Sequence, residues 1–190
     1  MLLDVSKKLI KLKVVYYGPA QSGKTTNLEK LAQREGLSLM KINTSGEKTL
    51  VFDFATKKVH VGNMEVSFAL YTVPGQDIYR DIRLTVVRGV DGVVFVADAQ
   101  RERLEENLEF LKLLKEDLKK IGKSYDNFPM VIQYNKMDLP NALDFETLEK
   151  KINPEGITAI SASAIKGEGV METFNLLTSN MLRKVKQMVG

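Results

Sequence analysis

The chain has 190 residues, 44% of them apolar and 27% charged, which suits one soluble domain, residues 1–190, with a sizeable core. The absence of cysteine excludes disulfides, thiolate metal sites and prenyl or palmitoyl anchors, and Leu2 at the second position excludes myristoylation, so no lipid anchor is expected. The net charge is +4, but basic residues are interleaved with acids, as in Lys112-Leu113-Leu114-Lys115-Glu116-Asp117, so the surplus describes a solvated mixed face and no nucleic-acid partner.

Lysines at 7, 8, 11 and 13 break every apolar run near the N-terminus, leaving neither a signal peptide nor a membrane span, and the expected location is cytoplasmic. Leu12 to Tyr17 is β-branched and aromatic and reads as a strand. It runs into Gly18-Pro19-Ala20-Gln21-Ser22-Gly23-Lys24-Thr25, which matches the G-x-x-x-x-G-K-[ST] phosphate loop, and Leu28, Leu31 and Ala32 then recur at helical spacing. The glycines let loop amides, including those of Ala20, Gln21, Ser22 and Thr26, close around phosphate oxygens. Lys24 supplies a charge, and Thr25 offers its hydroxyl to Mg²⁺. Residues 36 to 48 read as a polar loop. Residues 49 to 61 and 64 to 73 read as a hairpin around Gly62-Asn63. Asp91 to Asp98 and Pro129 to Tyr134 are apolar runs expected of parallel strands covered on both faces, and Ile157 to Ile160 is a short last strand. Leu104, Leu108, Leu111, Leu114, Leu118 and Ile121 mark one face of a long helix, and Val170, Phe174, Leu177 and Met181 mark another. The tail Arg183-Lys184-Val185-Lys186 is a compact basic cluster, the candidate for peripheral membrane contact. Alternating strands and helices with one antiparallel hairpin define an α/β fold, a mostly parallel sheet with helices on both faces, whose ligand belongs at the carboxyl ends of the strands.

Asn135-Lys136-Met137-Asp138 follows the second apolar run, and a carboxylate at Asp138 can accept two hydrogen bonds from guanine that adenine does not offer. Such a site rejects the wrong base by factors of about 10⁴ in favourable cases, which selects GTP/GDP over ATP. Here the chain resembles Ras-like small GTPases with their N-K-x-D element. Ser163-Ala164-Ile165 resembles their S-A-K guanine loop with isoleucine in the lysine position, and Ser161-Ala162 is an alternative alignment. Thr72-Val73-Pro74-Gly75-Gln76 stands where those proteins carry D-x-x-G-Q: Gly75 can reach the γ-phosphate with its amide and Gln76 can orient water, but the aspartate is missing. With Gly23-Lys24-Thr25-Thr26-Asn27-Leu28 and Leu70 to Gln76, the pattern is similar to the MglA (mutual gliding) family of bacterial small GTPases. The similarity continues through Arg88-Gly89-Val90-Asp91-Gly92 and Val94 to Asp98. That resemblance implies a P-loop small-GTPase fold, GTP and Mg²⁺, slow hydrolysis accelerated by a roadblock-type partner, and a role in polarity or gliding motility, with recruitment to a cell pole.

A two-residue turn at Gly62-Asn63 pairs Val61 with Met64, Val59 with Val66 and Ala55 with Leu70, and sets Asp53 opposite Thr72. Asp53 can therefore place a carboxylate where the missing aspartate would stand, as a ligand of Mg²⁺ or its water; the competing role is a pair with a nearby Lys or Arg. Lys57 is the discordant polar residue on the apolar face of this hairpin. Thr49 is the candidate threonine that reports the γ-phosphate through the metal. Lys48 aligns with an arginine that serves MglA relatives as an intrinsic finger, although lysine is poorer at bidentate phosphate contact; Arg80, Arg83 and Arg88 are alternatives, on a helix expected to be solvated. The family also slides its second strand between nucleotide states, which here would move Asp53 in and out of register. A scaffold that holds nucleotide without hydrolysing it is the alternative function.

Overall fold

The computed structural model describes residues 1–4, 6–44, 50–75 and 80–189. Among the described residues eight strands, β1 Leu2–Asp4, β2 Leu9–Tyr17, β3 Met40–Thr44, β4 Leu50–Val61, β5 Met64–Thr72, β6 Gly92–Asp98, β7 Met130–Asn135 and β8 Ala159–Ser161, form one sheet, seven of them in the order β3-β4-β5-β2-β6-β7-β8 with β1 joined to β2. β2, β5, β6, β7 and β8 run parallel, and β4 is antiparallel to β5. β1 pairs antiparallel with the first residues of β2, the length that β6 leaves unpaired. Among the described residues five α-helices complete the fold: α1 Lys24–Glu35, α2 Arg80–Val87, α3 Leu104–Lys120, α4 Phe145–Ile152 and α5 Val170–Val189.

β6, the second half of β2 and most of β7 are apolar because both faces are covered there, and their alternation divides the core in two. Val14 and Tyr16 of β2, with Val94 and Val96 of β6, point to one face, where α1 and α5 bury Leu28, Leu31, Phe174 and Leu177. Val15 and Tyr17, with Val93, Phe95 and Ala97, point to the other, where they meet Val86 and Val87 of α2, Phe110 and Leu114 of α3 and Leu148 of α4. Each such side chain contributes roughly 1.5–3 kcal/mol on burial, so the sheet is a stiff base for the loops at its carboxyl end.

Three local expectations are corrected. Within the stretch read as a loop, Met40–Thr44 forms a strand on β4, with Met40 opposite Phe54 and Lys41 opposite Asp53; its apolar alternation is confined to Met40 and Ile42, too short a run to announce a strand. The hairpin is accordingly not the sole antiparallel pair, since β1 and β3 add two more. The last strand is Ala159–Ser161, displaced by two residues from the expected start.

The hairpin register is the one expected, from Phe54 opposite Tyr71 to Val61 opposite Met64. Gly62 takes φ 60°, the left-handed first position that a Gly-first turn requires. Lys57 reaches off the apolar face to Glu35 of α1, and its ammonium lies 5.3 Å from the centre of the Phe174 ring. The discordant lysine is thereby partnered at both ends of the α1–α5 seam.

Candidate nucleotide site

β2 ends at Tyr17, and the chain turns through a loop that only glycine can follow at two points. A Cβ on Gly18 would lie 2.2 Å from the Val96 carbonyl oxygen, and one on Gly23 would lie 2.0 Å from Asn135 Nδ2. Gly23 caps α1 in a left-handed conformation with no side-chain hydrogen bond to the helix, and the first turn carries no acidic residue. The first amides of α1 are therefore left for an anion, with no carboxylate in the first turn to compete. Lys24 is buried, and its Nζ donates to the carbonyls of Gly18 at 2.8 Å and Pro19 at 2.5 Å. Loss of solvent pushes its ammonium down to about 7, with Glu106 partly opposing. An ammonium stripped of water in this way is stabilised by an arriving phosphate oxyanion.

Asn135 ties this loop to the far side of the site. Its Nδ2 donates to the Ser22 carbonyl at 2.8 Å, while its Oδ1 accepts from the Ala164 amide at 2.8 Å. A cleft of about 240 Å³ lies between Gln21 and Gly23 on one side and Asp138, Ser163, Ala164 and Ile165 on the other. The Asp138 carboxyl lies below its ordinary range, chiefly through the nearby Ser163 hydroxyl, although that hydroxyl makes no hydrogen bond of standard geometry, and more weakly through Lys166 at 3.6 Å, so it is ionised. Thr26 and Lys136 also line the cleft. Lys136 has φ 66°, rare for a residue with a side chain, and its Nζ bonds the buried Asp98 at 2.6 Å. Of the two alignments of the last loop, Ser163-Ala164 borders the cleft; the Ala162 amide and carbonyl are used by Tyr134 and Met137. Ile165 stands at the rim, largely exposed.

At the phosphate end, the Asp53 amide donates to Thr72 Oγ1 at 2.8 Å, and Thr25 Oγ1 donates to Asp53 Oδ2 at 2.5 Å. The carboxylate is 1% exposed, and its Oδ1 has no hydrogen-bond partner. A buried, half-satisfied carboxylate against the phosphate-loop threonine is a hard-oxygen pair suited to Mg²⁺. Among the described residues no group of three His, Cys, Asp or Glu is placed to hold a metal ion. Gly75 packs against the loop so closely that a Cβ there would lie 2.3 Å from the Ala20 nitrogen. Lys48, Thr49 and Gln76 lie outside the described residues.

The arginines are distributed differently from expectation. Arg83 is buried instead of solvated: its Nε donates to Asp117 Oδ2 at 3.1 Å, Tyr17 Oη donates to the same oxygen at 2.8 Å, and the guanidinium lies over the rings of Tyr17 and Phe110. It faces the core between α2 and α3, away from the phosphate loop. Arg88 is exposed at the end of α2, and the Arg80 side chain lies outside the described residues. Two features escaped the sequence reading. Asn27, Gln133 and Thr173 form a buried amide–amide–hydroxyl chain between α1, β7 and α5, signalled only by a glutamine in an apolar run. Arg103, after β6, reaches the Ala20 carbonyl at 2.6 Å.

A phosphate loop, a guanine-matched carboxylate and their bridging asparagine on a parallel sheet define a small GTPase, and residues 2–181 match the ADP-ribosylation factor family. The chain belongs to that family of guanine-nucleotide-binding GTPases and groups with its MglA-type members. It is 40% identical to the mutual gliding-motility protein MglA of Myxococcus xanthus over 97% of both chains. It is 30% identical to human ADP-ribosylation factor-like protein 4D, covering 94% of this chain and 87% of that one. It is 25% identical to the Ypt/Rab-type GTPase ypt7 of Pyricularia oryzae, covering 93% and 85%. No helix among the described residues is long and apolar enough to cross a membrane.

Proposed function

We propose that this chain is a single-domain, GTP-dependent switch of bacterial gliding motility and cell polarity, with slow hydrolysis completed by a roadblock-type activating partner. The observation that carries it is the double bridge of Asn135, which ties the phosphate loop at Ser22 to the base loop at Ala164 and so makes one site of the two. In this reading Gly18, Gly23, Lys24 and the amides of Ala20 to Thr26 hold the phosphates. Asp138, with Asn135, Lys136 and Ser163 to Ile165, holds guanine. Thr25, Thr49 and Asp53 form the protein share of the Mg²⁺ shell, and when bound the metal would neutralise phosphate charge. Gln76 orients water with Gly75 at the γ-phosphate, and Lys48 stands in for the family arginine. The motility role rests on the likeness to MglA. The protein acts in the cytoplasm and at a cell pole through effectors that recognise its GTP form.

Competition of GTP and ATP against a fluorescent guanine nucleotide, followed by single-turnover hydrolysis with and without a roadblock protein, tests this. Preference for GTP and partner-accelerated phosphate release are expected. Equal competition by ATP overturns the base assignment, and GTP binding without hydrolysis under every partner condition marks a scaffold instead of a switch.

A further inference from the structure

Gln21 is the weak point of the phosphate loop. Its φ of 61° lies in the left-handed region, where a residue with a side chain is strained by roughly 1–2 kcal/mol relative to glycine. Something must hold it there. The amide of Gln21 and the carbonyl of Ala20 belong to one peptide unit, and the described chain contains no cis peptide. In a trans unit the N–H and C=O point in opposite directions, so fixing the Ala20 oxygen on one side aims the Gln21 N–H to the other. The Ala20 oxygen is fixed by Arg103, whose Nη2 donates to it at 2.6 Å. Gly75 abuts the preceding Pro19–Ala20 unit, where a Cβ would lie 2.3 Å from the Ala20 nitrogen and 2.6 Å from the Pro19 carbonyl carbon, so the chain on the N-terminal side of the clamped peptide is packed as well.

Arg103 is itself well held. Its Nη1 pairs with Glu106 at 2.5 Å, its Nε lies 3.8 Å from Asp98 Oδ2, and its side chain is only 27% exposed. The same Asp98 oxygen takes Lys136 Nζ at 2.6 Å. One buried carboxylate thus stands behind both the lysine of the base cleft and the arginine of the phosphate loop.

We propose that Arg103 is a positioning residue that clamps the Ala20–Gln21 peptide, holding the strained Gln21 amide turned into the phosphate cavity and, through Asp98, linking that amide to the base cleft. In this role Arg103 acts through the peptide and not by a contact of its own with phosphate. The clamp rests on the nucleotide-site reading above and adds a residue that the phosphate-loop pattern does not contain. Lysine is a poor replacement, because one ammonium does not reproduce a fork that bonds Glu106 and Ala20 at once.

The test is release of fluorescent mant-GDP from the full chain in Mg²⁺, for the wild type, Arg103→Ala, Arg103→Lys and the double variant Arg103→Ala/Gln21→Gly. Arg103→Ala is expected to release nucleotide about tenfold faster, the scale of one charge-assisted hydrogen bond, with Arg103→Lys in between. The double variant is expected to return towards the wild-type rate, since glycine holds φ 61° without help. A wild-type rate for Arg103→Ala overturns the clamp. So does faster release that Gln21→Gly fails to slow, because general loss of fold or loss of a direct phosphate contact would not be repaired by a backbone substitution at 21. Wild-type protein that binds no mant-GDP would instead sink the nucleotide reading, and the clamp with it.

Discussion

The carboxylate at Asp53 has one oxygen on the Thr25 hydroxyl and the other buried without a partner, an arrangement that costs free energy unless a cation completes it. Asp53→Ala is therefore expected to weaken Mg²⁺-dependent retention of GDP by roughly 10- to 100-fold, as loss of a metal-supporting group does elsewhere. Magnesium titration of nucleotide release measures this. Thr72 sits with its hydroxyl 3.4 Å from Asp53 Oδ2, so an aspartate at 72 in the Asp53→Ala background places a carboxylate in almost the same volume. That double variant is expected to regain part of the magnesium affinity. Thr72→Asp alone sets two carboxylates together, and in the absence of Mg²⁺ it should unfold at lower denaturant than the wild type. If Asp53→Ala leaves the magnesium dependence unchanged, Asp53 is not in the metal shell.

At the scale of elements, a buried ion pair joins α2 to α3 within their shared apolar cluster. Arg83 and Asp117 are each 1% exposed, and around them stand Tyr17 Oη, the rings of Tyr17 and Phe110 and, 3.9 Å from Asp117 Oδ1, the partly exposed Lys120 Nζ, a weaker partner than the buried guanidinium. Arg83→Met leaves Asp117 charged and buried, which is expected to cost about 3–5 kcal/mol of unfolding free energy. Arg83→Met with Asp117→Asn removes the stranded charge while keeping an acceptor for Tyr17, and should recover much of that loss. Denaturant midpoints at constant slope measure both, and equal destabilisation of the single and double variants would show that packing, not charge, is lost. This element also shows where the sequence was legible. The hairpin register followed from a two-residue turn, and the phosphate loop and Asp138 from residue type and spacing, because turn geometry and phosphate or base contacts constrain residues locally. Arg83 was read as solvated because helix periodicity does not reveal that an arginine inside an apolar stripe has found an acid 34 residues away. β3 was missed because an edge strand needs only backbone pairing, and Arg103 because its partner is a carbonyl, which has no residue identity. Sequence patterns expose side-chain chemistry better than contacts made to the backbone.

Across the whole molecule, the sheet runs from a fully buried parallel centre to an antiparallel edge. β6 and β7 are buried along their entire length, whereas β4 lies between β5 and the short, polar β3. A slip of β4 along β5 must be by two residues, since one residue would turn its apolar face to solvent. Two residues move Asp53 by about 7 Å, far enough to break its bond to Thr25. The same slip would pull Lys57 off Glu35 and Phe174, so these contacts oppose it and set its free-energy cost. The absence of cysteine makes this movement easy to arrest: His60 stands opposite Glu65 next to the turn, and His60→Cys with Glu65→Cys can be oxidised with no competing thiol. The oxidised protein is held in the register that keeps Asp53 on Thr25. It is expected to retain GDP and Mg²⁺ as the reduced form does, but to lose most of its response to an activating partner, which reductant should restore. Hydrolysis stimulated equally in the oxidised and reduced forms would mean that β4 stays in this register throughout the cycle, and that Asp53 is a fixed part of the metal site and not a moving one.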